Sequence, residues 1–299
     1  MYHGVVDRVP DPVLDPYSID VGTFESHLRF FRRRCQVVPL RHLVDRVRRG
    51  EAVPAPWVAI TLDDALRTQV VLAAEMLGAF GFPWSIAVPA GLVGTGRSIW
   101  SYEFRFLVLC CWPWAALPSP REAEGSYATG SLAERQRTAQ QVTQVLFQHI
   151  SDHQRSEYLE SLIDRAGRQK FLDRLAGDGH YALAGWDDLR RLREAGVEMV
   201  AHGWRHRPQN GTLGEKAFQE EIAWSKREME RQLGAAPAGF ALPHGCRAPR
   251  TDGLLEESGY GYCLTSEPRR VLADGRPFHI PRFDAHYPLP VLRRHLLRR

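Results

Sequence analysis

Apolar residues recur every three or four positions in two early segments of the chain. This spacing predicts amphipathic helices over 23–35 and 40–50. A nearly continuous apolar run, Trp57–Leu62, has the length of a strand and the composition of one that is buried on both faces. A helix over 70–81 and a strand at 84–88 are predicted next. Strands that alternate with helices in this way predict an α/β fold with a parallel sheet.

The alternation stops in the middle of the chain. From Ser101 to about Gly179 the pattern is mostly helical, with a long amphipathic stretch over 131–166. We interpret 101–180 as a helical insertion on a single domain that spans 1–299. The alternation then returns, with predicted helices over 186–195 and 214–233 and predicted strands at 197–200, 240–242, 260–265 and 279–282.

The composition is that of a globular protein, with 44% hydrophobic and 25% charged residues. A net charge of +4 is too small for a nucleic-acid-binding protein. No apolar run reaches the roughly 20 residues of a membrane-spanning helix, so no integral membrane segment is expected. The basic end, 293–299, is interpreted as a solvated helix end, with contact to an anionic lipid or phosphate as the alternative.

Cysteine usage and the N-terminus bear on the location of the protein. The five cysteines have no paired spacing, which is typical of a reducing compartment. The N-terminus lacks the apolar region of a secretory signal. Both features lead us to expect a cytoplasmic protein, whereas the oligomeric state has no signature in the sequence.

Two polar clusters directly follow predicted strands. Asp63 and Asp64 come after the first buried strand, and His202 and His206 come after a later one. Active sites of parallel α/β folds lie at these C-terminal strand ends. Catalytic zinc takes three His or carboxylate ligands and keeps one position for water. An Asp–Asp pair alone is typical of a turn, and a lone His-x-x-x-His is often structural, but their joint placement predicts a metal site with a spare carboxylate as general base.

These clusters resemble motifs of the polysaccharide deacetylase superfamily, the NodB-homology proteins of carbohydrate esterase family 4. The family motif T-F-D-D-G reads Thr61-Leu-Asp-Asp-Ala65 here, and S-H-[S/T]-x-x-H reads Ala201-His-Gly-Trp-Arg-His206. Further similarities extend the resemblance over roughly 1–290. They are the segment 186–198 that leads to the second motif, the segment Glu221–Gly234, Phe240–Gly245 against the family's F-A-Y-P-Y-G, the Pro-Arg pair in Ile280–Arg282, and the opening Tyr2-His3.

The resemblance implies a distorted (β/α) barrel with one divalent metal, usually zinc, with nickel, cobalt or iron as alternatives. It assigns Asp64, His202 and His206 as the metal ligands. Asp63 is then the general base, and His3 is the general acid that protonates the leaving amine.

Three further residues are expected to assist. The backbone N–H of His244 is placed to donate to the oxyanion of the reaction. Arg282 is expected to hold Asp63 charged and oriented through a bidentate pair. Trp204, between the two histidines, is expected to stack on a sugar.

Each assisting role has an alternative interpretation. His3 lies near a terminus, where histidines are usually solvated, and His279 and His286 are then the fallback acids. Arg282 is alternatively a surface residue. Trp204 is alternatively part of the core, and the side chain of His244 either lines the pocket or is inert.

Several positions depart from the family motifs. Ala65 replaces a glycine, which is costly if that position requires a positive φ, and would then change the path of the loop. Gly203 replaces a Ser/Thr, which removes one hydrogen bond around the metal. Leu242 and His244 replace two tyrosines. Because the ligands and the base are intact, we interpret these changes as altered substrate preference.

The sequence thus predicts a metal-dependent hydrolase that removes an N-acetyl group from an amino sugar. A cytoplasmic enzyme of this kind is expected to act on a biosynthetic intermediate or another glycosylated small molecule. The alternatives are hydrolysis of another C–N or O-acetyl bond, and a sugar-binding pseudoenzyme. The insertion is expected to form a lid or a partner surface.

Overall fold

Short strands alternate with helices along most of the chain. The computed structural model describes residues 1–9, 15–54, 56–121, 125–272 and 274–297. Its strands are β1 (Val5–Val6), β2 (Ile19–Asp20), β3 (Gln36–Val37), β4 (Trp57–Val58), β5 (Ile60–Leu62), β6 (Trp84–Val88), β7 (Ala116–Pro118), β8 (Ser126–Ala128), β9 (Glu198–Ala201), β10 (Gly239–Ala241) and β11 (Tyr262–Leu264). Its α-helices are α1 (Val21–Arg34), α2 (Leu40–Arg48), α3 (Ala74–Phe80), α4 (Trp100–Phe106), α5 (Leu132–Gln148), α6 (Asp152–Ala166), α7 (Arg168–Gly177), α8 (Trp186–Glu194), α9 (Glu215–Leu233), α10 (Thr251–Glu257) and α11 (Leu289–Leu297).

Five parallel strands form a curved central sheet in the order β11-β10-β9-β6-β5. A parallel bridge from Tyr2 to Leu62 extends one edge, and one from Leu264 to Ile280 extends the other. The sheet is thereby an incomplete barrel. The predicted α/β fold with a distorted (β/α) barrel is confirmed.

Alternate residues of the strands face two hydrophobic clusters, as the period of two in a strand requires. Ile86 of β6 packs in the larger cluster with Leu28 of α1 and Leu77 of α3. Ala87, its neighbour, packs in a smaller cluster on the other face with Val200 of β9. Burial on both faces explains why the strand sequences are nearly continuously apolar.

The predicted insertion packs around a hydrophobic cluster of its own. Helices α4 to α7 contribute many of its buried side chains, among them Phe104, Leu162 and Phe171. The long predicted amphipathic stretch is divided into α5 and α6, each begun by a serine capping box, at Ser131 and Ser151. The insertion also contains an antiparallel hairpin, β7–β8, where the sequence predicted mostly helix. The single-domain organisation stays a prediction.

Other predicted elements differ at their ends. The helix predicted over 70–81 is a π-helical turn at Gln69–Ala73 followed by α3, which ends at Gly81 with φ +63°. The strand predicted at 279–282 is reduced to the bridge at Ile280, because Pro281 has no N–H to donate to a ladder. Within the described residues, no helix is long and apolar enough to span a bilayer. The predicted basic end falls partly in α11, and residues 298–299 lie outside the described residues.

Candidate metal centre and active site

Three predicted ligands meet at the C-terminal ends of the strands. Asp64 follows β5, and His202 and His206 follow β9. The Oδ1 atom of Asp64 lies 3.3 Å from the Nε2 atom of each histidine, and the two Nε2 atoms are 3.1 Å apart. All three side chains are buried, and their ligand atoms lie within 4.8 Å of one another.

This arrangement fits a divalent metal better than a hydrogen-bonded cluster. The Nδ1 atom of His202 donates to the carbonyl of Ala241 at 2.8 Å, which leaves the lone pair of Nε2 facing the centre. The buried Oδ1 atom of Asp64 has no hydrogen-bond partner. Two imidazole nitrogens and one carboxylate oxygen are a donor set that catalytic zinc uses. Burial raises the pKa of Asp64, but the adjacent imidazoles of His202 and His206 lower it by more, to well below its ordinary value, so the carboxylate is ionised.

The backbone around this centre is strained. In the part of the chain that the structure describes, four non-glycine residues have a positive φ, and all four lie here: Asp64 (+81°), Ala65 (+52°), His206 (+57°) and His244 (+55°). Such conformations concentrate at functional sites. Ala65 therefore adopts the left-handed conformation directly, at a cost of roughly 1–2 kcal/mol.

Asp63, beside the predicted ligands, forms a buried ion pair with Arg282. The guanidinium donates to both carboxylate oxygens, at 2.7 and 2.8 Å, and also to the carbonyl of Thr265 and the hydroxyl of Thr61. Arg282 is only 7% exposed, which excludes the alternative of a surface residue. Burial raises the pKa of Asp63, but Arg282 and then His202 outweigh it, and the pKa falls to about 2.

Tyr102 joins the site without any signal in the sequence, and its hydroxyl donates to Oδ2 of Asp64 at 2.7 Å. Tyr102 belongs to α4 of the insertion, and no local spacing links it to the Asp–Asp pair. Gln69 is a second residue that the sequence does not indicate, and its side-chain amide donates to the carbonyls of His3 and Asp63. Both residues reach the site only through tertiary packing.

Glu221 lies in a segment that resembles the family, but the sequence predicts no role for it. The structure places it beneath the loop 202–207, which contains His202 and His206 and is called the histidine loop below. Its Oε2 atom accepts from the backbone N–H groups of Arg205 and Arg207, at 2.8 and 3.4 Å. A Cβ atom on Gly203, which has φ +77°, would lie 2.9 Å from that oxygen. Glu221 thus braces the loop from the space that a Ser or Thr side chain at position 203 would approach. Burial raises the pKa of Glu221 to about 7.

A cavity of about 400 Å³ opens over the centre. Its scaffold side is lined by His3, Asp63, Asp64, His202, His206 and His244, and its insertion side by Trp100, Tyr102, Arg105, Gln140, Thr143, Gln144 and Phe147. The His244 ring lies 4.6 Å from that of His206 and 5.1 Å from that of Phe147. The side chain of His244 therefore lines the pocket. Desolvation and the neighbouring His206 lower the pKa of His244 well below its usual value, so the ring is neutral.

The other residues predicted for the site differ in whether they line the cavity. His3 lines the cavity, packs at a tilt against Tyr17 with the ring centroids 5.3 Å apart, and has a buried Nδ1 atom with no hydrogen-bond partner. His279 and His286 are not among the described lining residues; they contact Glu267 and Asp284.

Trp204 is also absent from the described lining. Its ring packs against Gly91, where an added Cβ would lie 2.4 Å away, and edge-on to Trp224. This placement agrees with the alternative of core packing, and the sugar-stacking role stays a prediction.

A known protein family matches the part of the chain that contains the histidines of the candidate metal centre. Residues 153–263 match the model of the polysaccharide deacetylase family. This match confirms the resemblance to the polysaccharide deacetylases. The matched region contains His202, His206 and His244, whereas Asp63 and Asp64 precede it. No curated protein matches the chain.

Solved structures resemble the chain over nearly its whole length. The Streptococcus pyogenes deacetylase PplD, in complex with acetate, is 12% identical with a TM-score of 0.59, over 95% of this chain and 89% of that one. IcaB from Ammonifex degensii is 16% identical, with a TM-score of 0.57 over 94% and 88%. The de-N-acetylase from Aggregatibacter actinomycetemcomitans is 14% identical, with a TM-score of 0.59 over 98% and 97%. At these identities the likeness establishes the fold.

Proposed function

We propose that this protein is a metal-dependent carbohydrate N-deacetylase. The observation that carries the proposal is the convergence of Asp64, His202 and His206 on one point, beside the Asp63–Arg282 pair in a cavity. This set contains three candidate ligands and a separate carboxylate, which is what hydrolysis of an amide by activated water requires. The match to polysaccharide deacetylases and the likeness to a de-N-acetylase support the same reaction.

The three converging side chains would hold one divalent ion, most simply zinc. An ion held there supplies Lewis acidity, which acidifies a water molecule and polarises the carbonyl oxygen of the substrate. The donor set also accepts nickel, cobalt or iron, because imidazole binds all of these metals.

Asp63 is proposed as the general base. Its carboxylate lies in the same cavity, and Oδ2 is 3.9 Å from Nε2 of His202. The bidentate pair with Arg282 keeps the carboxylate ionised and fixes the direction in which its oxygens point. A carboxylate that removes a proton from attacking water contributes roughly 10²–10⁴ in rate.

His3 is proposed as the general acid. Its ring lines the cavity, and the unpartnered Nδ1 atom is available to carry a proton to the leaving amine. The backbone N–H of His244 is proposed to donate to the oxyanion, because the turn Pro243–Gly245 places this residue on the cavity wall.

The cavity wall supports an amino-sugar substrate. On the insertion side, α5 contributes the neutral hydrogen-bonding groups of Gln140, Thr143 and Gln144, which suit sugar hydroxyls. Trp100 and Phe147 supply aromatic surface beside them. An N-acetylated amino sugar, free or within a glycosylated biosynthetic intermediate, matches this chemistry. The Streptococcus pyogenes deacetylase was solved with acetate, the product expected from this reaction.

Metal content is the first test. Elemental analysis of protein purified without chelator is expected to find about one zinc or similar ion per chain, as a three-ligand site requires. The double variant His202→Ala/His206→Ala, purified in parallel, is expected to lose it. Absence of metal from the wild-type protein, even after incubation with zinc, would refute the proposal.

Acetate release is the second test. We expect release from N-acetyl amino sugars, its loss on chelation, and its return with added zinc. Release from O-acetyl substrates alone would replace the proposal with an esterase. Sugar binding without acetate release would identify a pseudoenzyme.

A further inference from the structure

The helical insertion contacts the metal centre directly through α4. Its residue Tyr102 lines the cavity and is 8% exposed. The start of α4 is fixed by the next residue, Glu103, which accepts from the backbone N–H of Ser98 at 2.7 Å and from two nitrogens of Arg97. The Tyr102 ring packs 5.7 Å from that of Tyr181 in the same hydrophobic cluster. Tyr102 is therefore held by α4 together with the segments that flank the insertion, at Arg97–Ser98 and at Tyr181.

The two oxygens of Asp64 have different environments. Oδ2 accepts the hydrogen bond from Tyr102 at 2.7 Å. Oδ1 has no hydrogen-bond donor and lies 3.3 Å from both histidine Nε2 atoms. The contact with Tyr102 thus distinguishes two oxygens that are chemically equivalent in a free carboxylate.

We propose that Tyr102 is a positioning residue that holds Asp64 so that only Oδ1 is presented to the metal. This inference rests on the metal dependence in the proposed function. A carboxylate that binds through one oxygen leaves more coordination positions for water and substrate than one that binds through both. The insertion is then a structural part of the metal centre, in addition to being a wall of the cavity.

A second contact joins the insertion to the histidine loop, but it acts at a distance from the ligand atoms. Asp152, at the start of α6, binds Nε of Arg207 at 3.1 Å and the buried Arg155 at 2.6 Å. This contact fixes the loop as a whole. Of these two contacts, that of Tyr102 distinguishes between the oxygens of a proposed ligand, so its hydroxyl has an effect that general anchoring of the insertion does not reproduce.

Removal of this one hydroxyl tests the proposal. In Tyr102→Phe, the dissociation constant for Zn²⁺, measured by competition with a chelating dye, is expected to rise roughly 10- to 100-fold, as for other partners of metal ligands. The absorption spectrum of the Co²⁺-loaded variant is expected to change, because the coordination of Asp64 changes. Tyr102→Gln, which keeps an N–H donor, is expected to bind metal more tightly than Tyr102→Phe.

Tyr181→Phe is the matched control. Tyr181 is also buried, and its hydroxyl donates at 2.7 Å to a different carboxylate, that of Asp15. Thermal unfolding of both variants separates loss of folding from loss of metal. If Tyr102→Phe binds Zn²⁺ no more weakly than Tyr181→Phe, the inference is wrong while the proposed function stands. If the wild-type protein binds no metal, both fail.

Discussion

The guanidinium of Arg282 binds both carboxylate oxygens of Asp63 across 219 residues of sequence. Arg282 follows Ile280, the residue that extends the open edge of the sheet beside β11. The segment after β11 therefore supplies the partner of a carboxylate that directly follows β5. The attachment of this segment to the rest of the fold and the charge of the proposed base therefore depend on the same contact.

Replacement of Arg282 with Met is expected to destabilise the protein. The variant leaves Asp63 buried and unpaired, which typically lowers the free energy of unfolding by about 3–5 kcal/mol. In the wild type, the folded-state pKa of Asp63 is about 2, below its ordinary value of 3.8, so the pair stabilises the fold above pH 3.8 and loses this effect as the pH falls towards 2. Acid unfolding of Arg282→Met is therefore expected at a higher pH than that of the wild type, as followed by circular dichroism.

The double variant Asp63→Asn/Arg282→Met provides the control. It removes both charges, so it is expected to be more stable than Arg282→Met alone. A double variant as unstable as the sum of the two single ones would mean that the pair has no coupling energy.

Replacement of Asp63 with Asn is expected to abolish turnover and keep the metal. The amide cannot accept the proton from water, so acetate release should fall by roughly 10²–10⁴. The three ligands are unchanged, so metal content should equal that of the wild type. Asp15→Asn removes a buried carboxylate that is not in the described cavity lining and controls for loss of charge. Full activity in Asp63→Asn would exclude it as the base.

A side chain at Gly203 is expected to be harmful in this chain, although the family motif has Ser or Thr there. Its φ of +77° disfavours any side chain, and an added Cβ would lie 2.9 Å from the Glu221 carboxylate. Gly196→Ala is the matched control, because Gly196 has φ +89° and nothing within 4 Å of the added Cβ. In both variants the positive φ should lower the free energy of unfolding by roughly 1–3 kcal/mol. In Gly203→Ala it should fall further, because the added Cβ collides with the Glu221 carboxylate. Equal melting temperatures of the two variants would show that the Glu221 side chain moves away from the added Cβ without any loss of stability.

The sequence predicted those parts of the site that follow from strand ends. Asp63, Asp64, His202 and His206 were accessible because parallel strands end at one edge of a sheet. The resemblance supplied the pairing of Arg282 with Asp63, which no local pattern contains.

What the sequence did not predict depends on tertiary packing. Tyr102 lies in a helix whose apolar spacing indicates only burial, and nothing in that spacing points to Asp64. Trp204 lies between two predicted ligands in sequence, which leaves sugar stacking and core packing both open, and only the structure shows that its ring packs on Gly91 after the left-handed turn at Gly203. The hairpin β7–β8 has three residues in each strand, which is too short for a period of two to be recognised.

Glu221 is expected to give the stability of the protein a distinctive pH dependence. Burial raises its pKa from 4.5 to about 7, against the opposing effect of the N–H groups of Arg205 and Arg207. A carboxyl group with a raised pKa binds its proton more tightly in the folded state, so its contribution is fully present below pH 4.5 and is lost as the pH rises to about 7. For this pKa shift the change in the free energy of unfolding is on the order of 3 kcal/mol.

Glu221→Gln cannot titrate, so the wild type should lose stability relative to this variant between pH 4.5 and about 7. Urea unfolding of metal-stripped protein at about pH 5 and about pH 8 measures the difference, with the adjacent Glu220→Gln as the control for one lost charge. A constant difference between the wild type and Glu221→Gln at both pH values would mean that Glu221 keeps one charge state throughout and braces the histidine loop as a permanent carboxylate.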